Sequence, residues 1–224
     1  MGNKYIRLSH VLQSDTPSYG NRDKVIIRVN SSIKSGDTAN SSCWVFSNNH
    51  IGTHLDVPRH FNEQGFCVSD IPVEDFFFQH VAVIDISCET AKLIIEKDIE
   101  CHTIDSDIDL LLIRTGYENF RQKEAYWNDN PGLSSELPSY LRSKFPYLRC
   151  IGFDFISITS WKYRLEGRLA HKAFLSPRDG ERPIIVIEDM SLKNIEKQIK
   201  EVIVAPMYVE DGNGAPVTVF AEIE

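Results

Sequence analysis

The segment His50-Ile51-Gly52-Thr53-His54-Leu55-Asp56-Val57-Pro58-Arg59-His60 places three of the chain's seven histidines and one carboxylate within eleven residues. Imidazole and carboxylate are the ligands that zinc and manganese take, and three protein ligands with an open position make a catalytic rather than a structural arrangement. Geometry restricts how these side chains can converge. A continuous helix advances roughly 100° per residue, so it aligns His50 with His54 but sends Asp56 about 120° away. A straight strand puts all four on one face, yet separates His50 from His54 by about 13 Å at roughly 3.3 Å per residue. The chain must therefore bend: Gly52 permits a tight turn, and Pro58 bars continuation as helix or inner strand. These constraints place the motif on an irregular loop entered from a strand at Cys43 to Ser47.

Working outward, runs rich in β-branched and aromatic residues predict further strands at Lys24 to Val29, His80 to Ile86, Leu110 to Thr115, Cys150 to Ile156, Pro183 to Ile187, Glu201 to Ala205 and Pro216 to Ile223. Helices are predicted at Cys88 to Glu100, Ser134 to Phe145 and Ser191 to Lys200, the last from Leu192, Ile195 and Ile199 at helical spacing. The polar stretch Ser31 to Ser42 reads as a loop or hairpin tip. No repeat and no Pro/Gly/Ser-rich linker divides the 224 residues, so the expectation is one mixed α/β domain spanning residues 1–224.

The formal net charge of -8 and the pI near 5.4 oppose the electrostatic footprint of a nucleic-acid or anionic-membrane binder, which needs clustered Lys and Arg, so neither partner is expected. No apolar run approaches the roughly 20 residues of a membrane span, and Met1 to His10 lacks the apolar stretch of a signal peptide. The five cysteines, Cys43, Cys67, Cys88, Cys101 and Cys150, are scattered and form no C-x-x-C pair, which fits a reducing cytoplasm and small buried side chains rather than disulfides or a thiolate cluster.

Taken alone, an H-x-x-x-H pair is weak, and exposed loop histidines with Asp56 capping a turn would also account for it. The pattern His50-x-Gly52-Thr53-His54-x-Asp56-x-Pro58-x-His60 is more specific, and it resembles the signature of the cyclase family, which includes bacterial kynurenine formamidases and isatin hydrolases. Leu8-Ser9-His10 with Thr16-Pro17, Val83-Ile84-Asp85, Leu112-Ile113-Arg114-Thr115-Gly116, Ile151-Gly152-Phe153-Asp154, and Pro206 with Gly214-Ala215-Pro216 resemble the rest of that family in order.

The resemblance implies a compact domain with a β-barrel-like core of the swivelling β/β/α type, assembled as a homodimer or homotetramer in which a neighbouring subunit can complete the site. It implies that His50, His54 and Asp56 hold a first divalent ion, zinc or manganese, that Asp56 bridges to a second, and that His60 is the acid-base residue. His171, in a stretch similar to H-x-x-L-L, and Glu188, in one similar to I-x-E-x-L, would complete a centre of one or two ions per chain. The sequence departs from the family at Ser176 to Pro183, which is longer and more polar, and at Thr218, where an Arg is common.

His10 is a further candidate to approach the site through the N-terminal segment, while His80 and His102 read as structural. Tyr19, Trp44, Phe46 and Phe61 are candidates for an aromatic lining, with a core role the alternative for Trp44 and Phe46. Trp161 to Arg168 adds charge beside His171, as a solvated loop or as a contact for a negative group on a substrate. The expected activity is metal-dependent hydrolysis of an amide, ester or lactam-type bond in a small molecule, resembling arylformamidase, in which a metal lowers the pKa of water and polarises a carbonyl while His60 transfers the proton. The rival is a metal-binding protein of the same scaffold that holds a ligand without turnover. The chain has no G-x-S-x-G elbow, so a Ser/His/Asp hydrolase is not expected.

Overall fold

Leu110 and Leu112 join one buried apolar cluster, while Leu111 and Ile113 between them join another. A strand alternates its side chains across the sheet, so a run of apolar residues feeding two clusters is covered on both faces. Val186 and Ile187 divide in the same way. The two clusters are the two sides of one curved sheet.

The computed structural model describes residues 4–177 and 180–224. Its strands are β1 (Tyr5–Arg7), β2 (Val25–Ser31), β3 (Ser41–Phe46), β4 (His54–Asp56), β5 (Phe77–Phe78), β6 (Val81–Asp85), β7 (Leu93–Ile94), β8 (Leu110–Arg114), β9 (Gly132–Leu133), β10 (Cys150–Phe153), β11 (Ile185–Glu188), β12 (Ile199–Pro206) and β13 (Gly214–Ile223). The α-helices are α1 (Glu96–Glu100), α2 (Ala125–Asn128), α3 (Leu137–Lys144) and α4 (Arg164–Leu175).

The main sheet runs β5-β12-β13-β4-β11-β10-β8-β6, with β1 added on β13. Strands β6, β8, β10 and β11 are parallel to one another, whereas β4, β13, β12 and β5 join antiparallel. Strand β6 returns alongside β12, which curls the sheet into a nearly closed barrel. Leu55, Leu110, Leu112, Ile187, Val202 and Val219 fill its inside, and Leu141, Phe153, Phe174 and Val186 pack between its outer face and the helices. This is the mixed α/β domain with a barrel-like core expected above. Among the described residues no helix is long and apolar enough to cross a membrane.

All eight predicted strands are present, with ends within three residues of expectation, and the Ser31 to Ser42 stretch forms the tip of the β2–β3 hairpin. The helices differ more. Ser134 to Phe145 contains α3, but Cys88 to Glu100 is helical only over α1 and contributes β7 before it. Ser191 to Lys200 is not a helix. Leu192, Ile195 and Ile199 are all buried as expected, but the backbone N–H groups of Leu192 and Lys193 donate to the Glu118 carboxylate, and Ile199 already opens β12. Hydrogen bonds formed elsewhere in the fold override a local helical period.

The longest helix, α4, was not expected. Its buried side is Gly167, Ala170, His171 and Phe174, while Leu165 and Leu169 face outward. Those positions are three or four residues apart and lie on one face, but a glycine and a histidine within them leave no apolar stripe to read.

The motif itself is the other correction. Its middle is not irregular loop but β4, an inner strand of the barrel between β11 and β13. Leu55 and Val57 point into the barrel core and His54 and Asp56 to the opposite face, both sides being buried. Polar residues on a fully buried strand resemble a loop until the site they face is known. The bend falls at Gly52, whose φ of 65° is left-handed, and Pro58 opens a single 3-10 turn that ends at His60.

Candidate metal centre

Strand pairing sets the first half of the centre. His54 on β4 lies directly opposite Glu188 on β11, and Asp56 opposite Val186 on one side and Gly214 on the other. His54, Asp56 and Glu188 therefore share the outer face of the barrel, beneath α4. The helix brings His171 down onto the same spot. Gly167 makes this approach possible: a Cβ there would sit 2.4 Å from Thr159 Oγ1.

The resulting cluster is tight and nearly sealed. His54 Nε2 lies 3.4 Å from both Asp56 Oδ1 and Glu188 Oε2. His171 Nε2 lies 3.6 Å from Asp56 Oδ2 and 3.5 Å from Glu188 Oε1. His50 Nδ1 reaches Asp56 Oδ1 at 2.7 Å. His54, Asp56, His171 and Glu188 are each no more than 5% exposed.

Outer contacts aim the imidazoles. His54 Nδ1 is 2.8 Å from the Gly52 carbonyl, and His171 Nδ1 is 2.9 Å from the Gly167 carbonyl and 3.1 Å from Thr159 Oγ1. A carbonyl can only accept, so each Nδ1 carries the hydrogen and each Nε2 presents a lone pair to the cluster when the ring is neutral. A histidine that binds a metal through one ring nitrogen is commonly held in this way, by a hydrogen bond from the other. For His50 the roles are exchanged, with Nε2 against Asn213 Oδ1 at 2.8 Å and Nδ1 facing Asp56. Glu188 Oε1 accepts the Ile158 N–H at 2.7 Å and the Ser157 hydroxyl at 3.2 Å. The donor set, its tautomers and its two buried carboxylates fit a divalent cation of the zinc or manganese kind.

Electrostatics point the same way. Burial alone would lower the His54 pKa, but hydrogen bonding to Glu188 and the charges of Asp56 and Glu188 carry it up to about 9. His171 rises against burial to about 10 through Asp56 and Glu188. Burial pushes the Asp56 carboxyl up, yet His50, His171 and His54 hold it well below the usual range, and Glu188 is lowered by His171 and His54 against both burial and Asp56. Protons on His54 and His171 thus supply the positive charge that two buried carboxylates require. A divalent cation can supply it instead.

His60 behaves differently. Its ring stacks on His50 with centroids 4.0 Å apart, and one nitrogen from each of the two lies within 4.8 Å of an Asp56 oxygen. Burial lowers its pKa to about 4, so it is a neutral base at pH 7.

The cluster lies on the wall of a cavity of about 220 Å³, also lined by Tyr19, Arg22, Phe61 and Ile156. Phe61 stacks on His171 at 4.9 Å. Trp44 and Phe46 belong neither here nor to the core: they line a separate groove between the β2–β3 hairpin and the β12–β13 wall, and Trp44 is 65% exposed. His10 is not among the residues that line the cavity: its backbone N–H donates to Thr53 Oγ1, and its Nε2 is buried 3.9 Å from Glu118 Oε2. Trp161 to Arg168 is not a loop for the most part but the entry to α4, with Arg164 lying 3.7 Å over the Trp161 ring. Of Ser176 to Pro183, residues 178 and 179 lie outside the described residues. Sequence reading missed Asn213, Thr159, Gly167 and Ser157, none of which sits in a recognisable pattern.

The fold and the cluster together define a barrel-like α/β protein with a buried His/carboxylate centre of metal-binding character. The chain belongs to the family described as Putative cyclase, which matches residues 6–160. That span holds His50, His54, Asp56 and His60, whereas His171 and Glu188 lie beyond it. A kynurenine formamidase of Bacillus cereus is 27% identical over 168 residues, covering 75% of this chain and 73% of its own length. An uncharacterised protein of Haemophilus influenzae is 28% identical over 110 residues, 48% of this chain and 78% of that one. Among solved structures, isatin hydrolase A of Labrenzia aggregata, bound to benzyl benzoate, superimposes with a TM-score of 0.76 at 21% identity, over 98% of this chain and 93% of that chain. A predicted metal-dependent hydrolase of Bacillus stearothermophilus gives 0.74 at 21% identity, with 97% of both chains covered. At such identities these likenesses show the fold.

Proposed function

We propose that this protein is a metal-dependent hydrolase that cleaves an amide, ester or lactam-type bond in a small molecule, a reading supported by its similarity to proteins named kynurenine formamidase and isatin hydrolase A. The observation that carries this reading is the convergence of His50, His54, Asp56, His171 and Glu188 on one wall of a cavity that also holds an uncharged His60. In this reading His50, His54 and Asp56 hold one ion of zinc or manganese, and Asp56, His171 and Glu188 hold a second. The ion, when bound, polarises a carbonyl and lowers the pKa of water towards 7.

The remaining work belongs to the side chains. His60, neutral and at the cavity edge, takes the proton of the attacking water on its free ring nitrogen and returns it to the leaving nitrogen or oxygen, a role worth roughly 100-fold to 10,000-fold in rate. Phe61 and Ile156 exclude bulk water beside it. Retention of such a base disfavours the rival of binding without turnover, because a ligand-holding site has no use for it. The chain is expected to work as a homodimer or homotetramer on a small-molecule substrate.

The test is a screen of the purified, zinc-loaded or manganese-loaded protein against formylkynurenine, isatin and simple aryl esters. Turnover of at least one, abolished by a chelator and restored by metal, is expected. Tight metal uptake with no turnover of any of them would favour the binding protein instead.

A further inference from the structure

Thr53 lies inside the most distinctive part of the motif, yet its side chain points away from the cluster and the proposed chemistry gives it no task. It is 2% exposed. Its hydroxyl donates to the Asp189 carbonyl at 2.5 Å and accepts the His10 N–H at 2.8 Å, while its own carbonyl accepts the Val217 N–H at 3.0 Å. One residue thereby joins the N-terminal segment, β13 and the end of β11 to the start of β4.

The register gives these bonds a meaning. The β4/β11 ladder pairs Asp56 with Val186, Leu55 with Ile187 and His54 with Glu188. The next pair would be Thr53 with Asp189. There the ladder stops, because Asp189 is left-handed, with φ of 54°. That conformation disfavours a residue with a side chain, and the fold holds it in place: Arg121 grips the Asp189 carboxylate at 2.7 and 2.9 Å, and the Tyr126 hydroxyl donates to it at 2.5 Å. The Asp189 carbonyl is therefore turned out of the regular pairing, immediately after Glu188, and the Thr53 hydroxyl meets it.

We infer that Thr53 is a positioning residue of the metal centre, its hydroxyl replacing the last rung of the β4/β11 ladder and so fixing the separation of His54 from Glu188. The inference rests on the reading of this cluster as a metal centre. Those two side chains stand on the residues directly adjoining the rung, and their Nε2 and Oε2 atoms are 3.4 Å apart. Strand ends fray when a terminal bond is lost, and fraying here would widen the gap between two ligands. Outer partners of ligands change metal affinity by roughly 10-fold to 100-fold.

Three full-length proteins decide the matter: wild type, Thr53→Val, which keeps the shape and loses the hydroxyl, and Thr53→Ser, which keeps the hydroxyl and loses the methyl. Zinc dissociation constants are measured by competition with a chromogenic chelator, alongside the melting temperature of each metal-free protein. The expected result is about 10-fold or more weaker zinc binding in Thr53→Val and near wild-type binding in Thr53→Ser. Zinc binding in Thr53→Val as tight as in wild type, with only a lower melting temperature, would reduce Thr53 to a fold-stabilising role and overturn the inference. Equal weakening in both variants would overturn it too, since the hydroxyl would not be the cause. Should Thr53→Val fail to fold, Thr53→Ala takes its place under the same criteria. A wild-type chain that takes up no zinc would instead sink the metal reading itself, an outcome distinguishable because it needs no variant.

Discussion

The two halves of the centre are built in different ways. His50, His54 and Asp56 come from seven consecutive residues that fold around one left-handed glycine, so their separation depends mainly on local backbone. His171 and Glu188 arrive from a helix and a strand more than a hundred residues later, and their places depend on how α4 seats against Thr159 and how β11 pairs with β4. A local half is expected to tolerate small changes elsewhere in the fold. A tertiary half is expected to be more sensitive, because several small contacts, such as Gly167 against Thr159, share the work of placing it.

The largest effect expected from breaking this contrast is at His54, which touches both halves. His54→Ala should lose metal and activity together, since it removes the imidazole whose Nε2 lies 3.4 Å from both an Asp56 and a Glu188 oxygen and leaves those two buried carboxylates facing each other; elemental analysis after dialysis reads the metal. His171→Ala is expected to differ by retaining the ion at His50 and Asp56 while losing the other. A stoichiometry falling from two to one would support two ions, whereas complete loss in His171→Ala would mean that a single ion needs both halves.

His60→Ala or His60→Asn sharpens the local half. Either should keep metal stoichiometry and fold while losing about 100-fold or more in kcat, roughly 3 kcal/mol of transition-state stabilisation. Near-normal turnover would remove His60 from proton transfer. Loss of the metal along with activity would make it a ligand instead, in a group with His50 and Asp56, whose donor atoms lie within 4.8 Å of its own.

A smaller change tests the tertiary half without touching any ligand. Gly167→Ala adds one methyl that would meet Thr159, so α4 must shift and carry His171 with it. Weaker metal binding by about 10-fold is expected, comparable with other outer-contact losses, even though alanine is the better helix former by about 1 kcal/mol. Unchanged affinity with raised stability would show that the helix contact is not critical.

A further test is protonic. In the metal-free chain the pKa values of His54 and His171 are raised to about 9 and about 10. A raised histidine stabilises the fold fully below its unfolded value of about 6.5 and ceases to do so as pH rises through its folded value. The metal-free protein should therefore lose stability between about pH 6.5 and pH 10, and zinc binding near pH 7 should release protons because both rings must give theirs up. Calorimetry in two buffers of different ionisation heat counts them; zero protons released would contradict the charged-histidine picture.

Much of this was visible in the chain itself. Eight strands could be read because β-branched runs report pairing surfaces whatever lies around them, and the candidate site could be read because three histidines and an aspartate stand within eleven residues. The ends of helices and the seat of His171 could not. Leu192, Ile195 and Ile199 have helical spacing but answer to Glu118 and to the pairing of β12 with β13. The apolar residues of α4 that invite attention, Leu165 and Leu169, face outward, while its buried face is marked by a glycine and a histidine. Asn213 and Thr159 matter only through what they touch.

The amino-acid sequence by itself determined the chemistry offered at His50 to His60, the need for a bend at Gly52, and a fold rich in strands, because each follows from residue types and spacings a few positions apart. The tertiary structure alone decided that the motif is an inner strand with one polar and one apolar buried face. It also decided that Glu188 lies across from His54 and that a glycine in α4 lets His171 complete the cluster. Those are distances between atoms far apart in sequence, set by strand register and helix seating, and no local pattern encodes them.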